Sequence, residues 1–313
     1  MPDQPAREPL NGLGFDVEHW YAASLLRDDV REPVDRVAES VAIVLDLLDA
    51  HDVRATFFVV GRVAEEHPGL IRRIADDGHE IGSHSYRHEP LTEHSRSSFA
   101  SALARSHAAI EDAAGIAPRG FRAPNFSITG ETAWAFEVLA DSEFAYDSSV
   151  FPVRTPMYGV SGAPTRPYVV DPAAPFERRH TPPSADGIAE CPLSVAHPLV
   201  RAPIAGGFYA RALPDVALER AIGWNNRRGR PVNLYFHPWE FNEAVRTDEP
   251  SWLARLISFY GIEGLTDTLD RLLSAFRFGP VERVIDAELP GQPPVSTDAD
   301  DAAAERAFVS EES

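Results

Sequence analysis

Short hydrophobic runs alternate with amphipathic stretches along most of this chain. Each short run is typical of a strand buried on both faces, and each stretch of helical spacing is typical of a helix packed on a sheet. The predicted strands cover residues 13–17, 55–60, 79–82, 119–122, 144–146, 232–236 and 281–285. The predicted helices cover residues 33–48, 70–78, 94–114, 130–141, 214–227 and 251–276. This alternation predicts parallel β-α units and therefore an α/β fold.

A long segment in the second half interrupts this pattern. Eleven prolines fall within residues 152–203, and proline cannot donate a hydrogen bond to a sheet. We therefore expect residues 150–212 to form an irregular, proline-rich insert with a few antiparallel strands, inside a single domain of residues 11–285. The flanks lack a hydrophobic pattern, which predicts a loose leader at residues 1–10 and a disordered acidic tail at residues 286–313.

Polar side chains stand at the carboxyl ends of the predicted strands. These residues are Asp16, Glu18, His84, Arg122, Asp147 and His237. The carboxyl ends of parallel strands converge on one mouth of a β-α barrel, and active sites are assembled there. We therefore expect these side chains to lie close together, with Asp147 in contact with a substrate.

His84 and His88 are the strongest candidates for metal binding. A histidine pair at this spacing is more often a surface feature of a helix, but this pair begins at a strand end. Asp16 and Glu18 end another strand two residues apart, so their side chains face the same side. Two histidines and one carboxylate around an open position are a common catalytic zinc arrangement, which would lower the pKa of a bound water to about 7. The second carboxylate would act as the base, and the residues alone leave open which of the two binds the ion.

Three more residues could serve a hydrolytic reaction at this mouth. His237 could protonate the departing group, and Arg122 could orient the free carboxylate. Trp239 could form an apolar wall for a sugar ring, although packing in the core would explain it equally well.

Composition narrows the class of protein. The formal net charge of −19 comes from 48 acidic residues against 29 basic ones, and every basic residue is arginine. Such an acidic surface argues against nucleic-acid binding and suggests adaptation to high salt, so that a salt-loving source is a hypothesis. Cys191 is the single cysteine, and we expect it in the core without a disulfide. No apolar run is long enough to span a membrane and the amino terminus does not resemble a signal peptide, so we expect a cytoplasmic protein.

Five sequence motifs resemble the polysaccharide deacetylases of carbohydrate esterase family 4, which share the NodB homology domain. They are FDVE at residues 15–18, ATFFVVG at 55–61, GHEIGSHSYRH at 78–88, FRAP at 121–124 and YFHPWE at 235–240. Three others resemble the subgroup associated with exopolysaccharide and exosortase loci, namely YDSS at 146–149, GGFY at 206–209 and FRFG at 276–279. The resemblance, which covers about residues 10–285, implies a distorted (β/α)7 barrel of the NodB type. It also implies metal-dependent removal of N-acetyl, and sometimes O-acetyl, groups from amino-sugar glycans.

The resemblance also implies roles for individual residues. Asp16 matches the general base of the family and His237 its general acid. His84 and His88 match its metal ligands, and Arg122 matches the residue that orients the base.

The chain departs from the family pattern in two places. Most members have consecutive aspartates where this chain has Asp16 and Val17, so the third metal ligand has to be chosen. The same-face argument favours Glu18, with Asp16 as the base, and leaves the reverse assignment open. The aromatic residue and glycine that usually follow the arginine-proline motif are replaced by Asn125 and Phe126. The oxyanion donor that contacts the substrate would therefore be the backbone N–H near Asn125.

The predicted protein is a hydrolase of amide carbon–nitrogen bonds that deacetylates an amino-sugar glycan or a lipid-linked saccharide. It would need one divalent ion, Zn²⁺ by preference, with Co²⁺, Mn²⁺ or Fe²⁺ as alternatives. The lack of an export signal favours a biosynthetic intermediate over a finished wall. Two alternatives stay open: an amidohydrolase for cyclic amides or ureides on the same barrel, and a catalytically silent glycan-binding module without metal. The sequence leaves the glycan, the acetyl position and the oligomeric state undetermined.

Overall fold

The computed structural model describes residues 8–155, 158–177 and 187–290. Within them the strands are β1 (Asn11–Val17), β2 (Thr56–Val59), β3 (Glu80–Ser83), β4 (Gly120–Phe121), β5 (Tyr146–Asp147), β6 (Tyr168–Val169), β7 (Ala189–Glu190), β8 (Asn233–Phe236) and β9 (Phe278–Gly279). The α-helices are α1 (Val37–Ala50), α2 (Gly61–Glu66), α3 (Pro68–Asp76), α4 (Arg96–Ala114), α5 (Ala135–Ala140), α6 (Gly207–Ala212), α7 (Asp215–Asn226), α8 (Trp252–Phe259), α9 (Leu265–Ala275) and α10 (Val281–Glu288).

One curled sheet contains all of these strands. Its order is β6-β7-β5-β4-β3-β2-β1-β8, and β9 pairs with the start of β1. Every pairing is parallel except the one between β6 and β7. The segment after β7 brings the edges of the sheet together, because Ser194 and Asn233 of β8 exchange hydrogen bonds of 3.2 and 2.7 Å. The predicted α/β fold and distorted barrel are confirmed.

Helices cover the outside of this sheet through hydrophobic residues at helical spacing. In α1 the buried positions include Val41, Val44 and Leu48, which share one face of the helix. The strands β1, β2 and β3 are buried along their whole length. Complete burial follows because helices cover one face of these strands and side chains fill the barrel on the other.

Arg122 occupies the barrel interior. Its side chain is fully buried, and its guanidinium carbon lies 4.1 Å from the ring centre of Phe58. Gly14 in β1 leaves the room for this side chain, since a Cβ at that position would lie 2.8 Å from Nη1 of Arg122. The glycine therefore lets a long cationic side chain pass β1 and approach Asp16 from inside the barrel.

Two predicted elements near the carboxyl end are corrected by the structure. The helix predicted at 251–276 is divided into α8 and α9 because Gly261, between them, adopts a left-handed conformation with φ of 68°. The strand predicted at 281–285 is wrong, since these residues form α10. Pro280 precedes that helix, and its fixed φ favours a helix start rather than an extended segment.

The predicted domain limits are described only in part. The helix α10 continues through Glu288, so the boundary predicted after residue 285 falls inside a helix. The rest of the predicted tail, residues 291–313, lies outside the described residues, as do residues 1–7 of the predicted leader and residues 178–186 of the insert. The described part of the insert contains the antiparallel pair of β6 and β7, which the proline-rich pattern predicted, and the helix α6.

Two expectations from composition concern the core and the membrane. Cys191 is buried and forms no disulfide, as predicted. Among the described helices, none has both the length and the apolar character needed to cross a bilayer.

Candidate metal centre

The site begins with a tight turn after β3. His84 and His88 lie in this turn rather than on a helix, and their ring centres are 5.1 Å apart. Ser85 and His88 both adopt left-handed backbone conformations, with φ of 63° and 58°. Such conformations are costly for residues other than glycine, so the surrounding structure has to enforce them. The strained turn folds the chain back and places both imidazoles on one point.

Glu18, which follows β1, joins the two histidines. One ligand atom from each of Glu18, His84 and His88 lies within 4.8 Å of the others, and all three residues are buried. The Oε2 atom of Glu18 lies 2.5 Å from Nε2 of His88, yet it has no hydrogen-bond partner among the described residues. The Nδ1 atom of His84 donates to the carbonyl of Arg122 at 2.8 Å, which leaves the lone pair on its Nε2. These electron-rich atoms converge as the ligands of a divalent ion do, so the residues fit a metal.

The charges of this group agree with that fit. Burial alone would raise the pKa of Glu18, but its interactions with His88 and His237 outweigh burial and hold the pKa at about 2. Burial, together with the neighbouring His88 imidazole, lowers the pKa of His84 well below its ordinary value. An ionised carboxylate beside a neutral imidazole is the protonation state in which both groups bind metal ions.

Asp16 lies beside the group and is held by Arg122. The Nη1 atom of Arg122 donates to Oδ1 of Asp16 at 2.8 Å, and both side chains are buried. Arg122 is itself fixed by Ser148, because its Nε donates to the Ser148 carbonyl at 3.0 Å and its Nη2 to the hydroxyl at 2.9 Å. The other oxygen of Asp16, Oδ2, lies 4.0 Å from Nε2 of His84. One carboxylate oxygen is therefore occupied by the arginine, and the other faces the candidate ligands.

His237, at the end of β8, approaches the group from the opposite side. Its Nε2 lies 3.7 Å from Oε1 of Glu18, and its Nδ1 donates to Oε2 of Glu240 at 3.2 Å. Burial alone would lower the pKa of His237, but the carboxylates of Glu18 and Glu240 outweigh it and raise the pKa to about 9. The imidazole is therefore protonated at neutral pH.

Glu240 and Arg211 support His237 and were missed by reasoning from the sequence. Glu240 also accepts a hydrogen bond of 3.0 Å from the backbone N–H of His237 and one of 2.8 Å from Nη2 of Arg211. Burial would raise the pKa of Glu240, but Arg211 and His237 together lower it to about 2. Glu240 could have been found as an acid three residues after His237, whereas no local signal marks Arg211, which comes from α6 in the insert.

Trp239 does not form the exposed wall that its position suggested. Its side chain is buried, and its ring stacks on His237 with centres 5.2 Å apart. The indole N–H donates to Oε1 of Glu18 at 3.1 Å. The indole therefore orients the carboxylate of a candidate metal ligand. Metal ligands in proteins are commonly held in this way by hydrogen bonds from neighbouring residues.

The prediction that Asp147 contacts a substrate is wrong. Its side chain is 0% exposed and accepts hydrogen bonds from the backbone N–H of Ser149 at 3.2 Å and from its hydroxyl at 2.5 Å. Asp147 also lies opposite Glu190 in the register of β5 and β7, and burial raises the pKa of both carboxyl groups. The side chain of Asp147 therefore points toward Glu190 and not toward the mouth of the barrel.

The loop after β4 carries the predicted oxyanion donor. Asn125 is half-buried, and both Asn125 and Phe126 adopt left-handed conformations, with φ of 56° and 49°. The Phe126 ring packs on Tyr235 of β8 with centres 4.5 Å apart. The loop is therefore strained and held against β8, next to the strand end that supplies His237.

Comparisons with known proteins relate two parts of the chain to described families. Residues 24–140 match the family model described as Polysaccharide deacetylase, and residues 148–286 match the one described as Domain of unknown function (DUF3473). The Peptidoglycan-N-acetylglucosamine deacetylase of Bacillus cereus is 36% identical over 95 residues, which are 30% of this chain and 34% of that protein. The Chitin deacetylase of Colletotrichum lindemuthianum is 40% identical over 89 residues, which are 27% of this chain and 36% of that protein. The matched part thus spans about a third of the length of these relatives.

Solved structures share the fold over nearly the whole chain. A Mycobacterium smegmatis protein for which polysaccharide deacetylase activity is proposed has a TM-score of 0.60 at 21% identity, with 94% of each chain covered. The Puue allantoinase has a TM-score of 0.59 at 15% identity, also with 94% of each chain covered. At these identities the likeness shows the fold alone. The family matches and the curated relatives show a polysaccharide deacetylase domain at residues 24–140, which is joined to the Domain of unknown function (DUF3473) at residues 148–286.

Proposed function

We propose that the protein is a metal-dependent hydrolase that removes N-acetyl groups from an amino-sugar glycan. The observation that supports this proposal is that an aspartate and a histidine in different environments lie on two sides of one group of candidate ligands. Asp16, with one oxygen held by Arg122, lies on one side of the candidate ligands, and a protonated His237 lies on the other. Groups with such different environments are suited to act as base and acid in one reaction.

Glu18, His84 and His88 would hold the ion, and two histidines with one carboxylate favour Zn²⁺, with Co²⁺, Mn²⁺ or Fe²⁺ as alternatives. When bound, the ion would polarise the amide carbonyl and acidify a water molecule. Trp239 keeps the carboxylate of Glu18 in place through its indole N–H. The carbonyl of Arg122 does the same for the imidazole of His84.

The proton transfers follow from the positions of the two proposed catalytic residues. Asp16 would accept a proton from the attacking water at Oδ2 while Arg122 holds its Oδ1. His237 would donate a proton from Nε2 to the amine nitrogen as the carbon–nitrogen bond breaks and the carbon–oxygen bond of acetate is complete. The backbone N–H near Asn125 would stabilise the negative charge that develops on the carbonyl oxygen. The products are acetate and the free amino sugar.

Two other functions are less well supported. The fold resembles the Puue allantoinase as closely as it resembles the Mycobacterium smegmatis protein, so fold does not separate a cyclic ureide from a glycan. The curated relatives act on peptidoglycan or chitin by their names, which favours the glycan. A silent glycan-binding module would not need a strained turn or buried ion pairs. The chain has the strained turn, the buried pair of Asp16 with Arg122 and the pair of His237 with Glu240. A cytoplasmic location and a lipid-linked substrate remain predictions.

The test is acetate release from oligomers of N-acetylglucosamine by protein that has been stripped of metal and reloaded. We expect activity only with the reloaded protein, and loss of most activity in Asp16→Asn and His237→Ala at unchanged metal content. Glu243→Gln, an exposed position near the same strand end, is the matched control and should keep full activity. Metal-loaded protein that releases no acetate from any amino-sugar glycan would refute the proposal.

A further inference from the structure

A hydrophobic patch is concentrated on α8. The described part of the chain has ten large hydrophobic residues that are exposed, and four of them lie on α8 or directly after it: Trp252, Leu253, Leu256 and Tyr260. Trp252 is 70% exposed, Leu256 47% and Tyr260 55%. These three follow one another at intervals of four residues, so they share one face of the helix over about 12 Å. Contiguous exposed apolar surface of this kind usually marks a binding site.

This face borders a cleft of about 470 Å³. Trp252, Leu256, Phe259 and Tyr260 supply its apolar surface, and Arg246 and Arg255 stand at its rim. Arg246 is paired with Glu263, and Arg255 with Asp248. Asp248 lines the cleft and Glu263 pairs with Arg246 from outside it, so both cations of the rim are neutralised, although the whole chain has a net charge of −19.

The chemistry of the cleft favours a neutral, hydroxyl-rich ligand. The flat C–H face of a sugar ring can stack on exposed aromatic side chains while its hydroxyl groups remain in reach of polar groups at the rim. Paired guanidinium and carboxylate groups can donate to and accept from such hydroxyls without a change in net charge. An anionic membrane or a nucleic acid would instead need a basic surface, which a neutral rim on an acidic protein does not provide.

The cleft is connected to the candidate metal centre in two ways. Phe259 lines the cleft and also belongs to the buried cluster that contains Trp239, whose indole binds Glu18. Arg211 donates to the carbonyls of Ile257 on α8 and of Tyr260 directly after it. The same guanidinium donates to Glu240 beside His237.

The loops around the cleft also belong to the mouth of the barrel. The loop after β1 meets the segment before α8, because the N–H of Arg31 donates to Glu249 at 2.7 Å and the N–H of Ser251 to Asp29 at 3.2 Å. The cleft therefore lies at the same end of the barrel as the strand ends that carry Glu18 and His237.

We propose that this cleft is a second saccharide-binding site, which holds neutral sugar residues of the glycan at a distance from the acetyl group that is removed. The proposal rests on the proposed deacetylase function and adds to it a preference for long chains. An oligosaccharide long enough to reach both places would bind more tightly than a short one, because the second contact adds binding without changing the reacting groups.

The experiment compares N-acetylglucosamine oligomers of two and six residues as substrates of the metal-loaded protein. In Trp252→Ala we expect KM for the hexamer to rise about tenfold, as loss of an aromatic stacking contact predicts, with kcat and the kinetics of the dimer unchanged. Leu253→Ala is the matched control, since Leu253 is similarly exposed on the same helix but does not line the cleft. Alanine favours helix at both positions, so the fold should be kept.

Binding is measured separately from turnover. Calorimetric titration of the hexamer into Asp16→Asn protein, with and without Trp252→Ala, tests the cleft even if no acetate is released from any substrate. A hexamer affinity that depends on Trp252 but not on Leu253 supports the cleft, and without acetate release it would leave the deacetylase proposal alone refuted. Equal effects of both substitutions, an equal loss for dimer and hexamer, or no binding of the hexamer would overturn the cleft. Sedimentation that shows a dimer dissociated by Trp252→Ala would also overturn it, since the patch would then bind a second copy of the chain.

Discussion

The pair of His237 and Glu240 makes a quantitative prediction about pH. The pKa of His237 is raised from 6.5 to about 9, a difference that corresponds to about 3 kcal/mol in favour of the protonated imidazole. Glu18 and Glu240 are the carboxylates that cause it. In the metal-loaded protein the ion would neutralise the effect of Glu18, so Glu240 would supply most of what remains. An opposite charge at this distance raises the pKa of an imidazole by about 1–2 pH units.

The perturbation is Glu240→Gln. The glutamine carbonyl can still accept from the N–H and Nδ1 of His237, which use one oxygen of Glu240. The amide NH2 then replaces the oxygen that accepts from Arg211, so this one hydrogen bond is lost together with the negative charge. The proposed acid must be protonated, so activity is present below the pKa of His237 and is lost as the pH rises through it. We expect the alkaline limb of kcat to move down by about 1 pH unit, which makes the variant about tenfold slower at pH 9 and no more than about twofold slower at pH 6.5.

The assay is acetate release from an N-acetylglucosamine oligomer between pH 5 and 10, at constant ionic strength and with metal content measured at each end. Glu243→Gln removes a charge of the same sign from an exposed position near by and should leave the profile unchanged. An alkaline limb in Glu240→Gln that coincides with the wild type, at equal metal content, would refute the role of Glu240 in holding His237 protonated.

Three further changes test other contacts. Trp239→Phe keeps the ring but removes the N–H that donates to Glu18, so metal affinity measured by chelator competition should fall about tenfold, and an unchanged affinity would contradict an orienting role. Arg122→Lys keeps the charge, but a lysine cannot hold both Asp16 and the carbonyl of Ser148. We expect kcat to fall about 100-fold, and a loss of bound metal would point to a different cause. Glu190→Gln removes an acid whose pKa is raised well above 4.5 by burial and by Asp147. The folded wild type keeps a proton that the unfolded chain releases, so its free energy of unfolding should decline as the pH rises above about 4.5, and urea titrations between pH 5 and 8 should show a flatter dependence in the variant.

The hydrophobic pattern of the strands predicted the positions of those site residues that lie at the end of a strand. Asp16 is the last residue but one of a seven-residue strand that is buried throughout, so its direction follows from simple alternation. Asp147 shows where this reasoning fails. The strand β5 has only two residues, which is too short for alternation to be read from the sequence, and Asp147 turns toward Glu190 on the neighbouring strand. The conclusion that carboxyl ends of parallel strands converge is therefore reliable for the backbone and not for each side chain.

The residues that support His237 could also be predicted only in part, but the reason is different. Glu240 follows at a spacing of three residues in a short 3-10 turn, so a local contact with His237 was open to inference. Arg211 reaches Glu240 from an insert whose path is set by prolines and long-range packing rather than by a periodic pattern. Hydrophobic periodicity identifies regular elements and carries no information on where an irregular segment meets the barrel.

The two family matches cover different parts of the candidate site, and Asp16 and Glu18 lie before both of them. Residues 24–140 contain the candidate ligands His84 and His88 together with Arg122, whereas residues 148–286 contain His237 with its supporting Glu240 and Arg211. The part described as a domain of unknown function would thus supply the proposed acid and the charge that keeps it protonated. Arg211 also holds the carbonyls at the end of α8, so the proposed saccharide cleft and the proposed acid depend on one side chain. This arrangement gives a physical reason for the second half to complete the barrel: its strand β8 pairs with β1, Trp239 orients Glu18, and His237 would protonate the leaving amine.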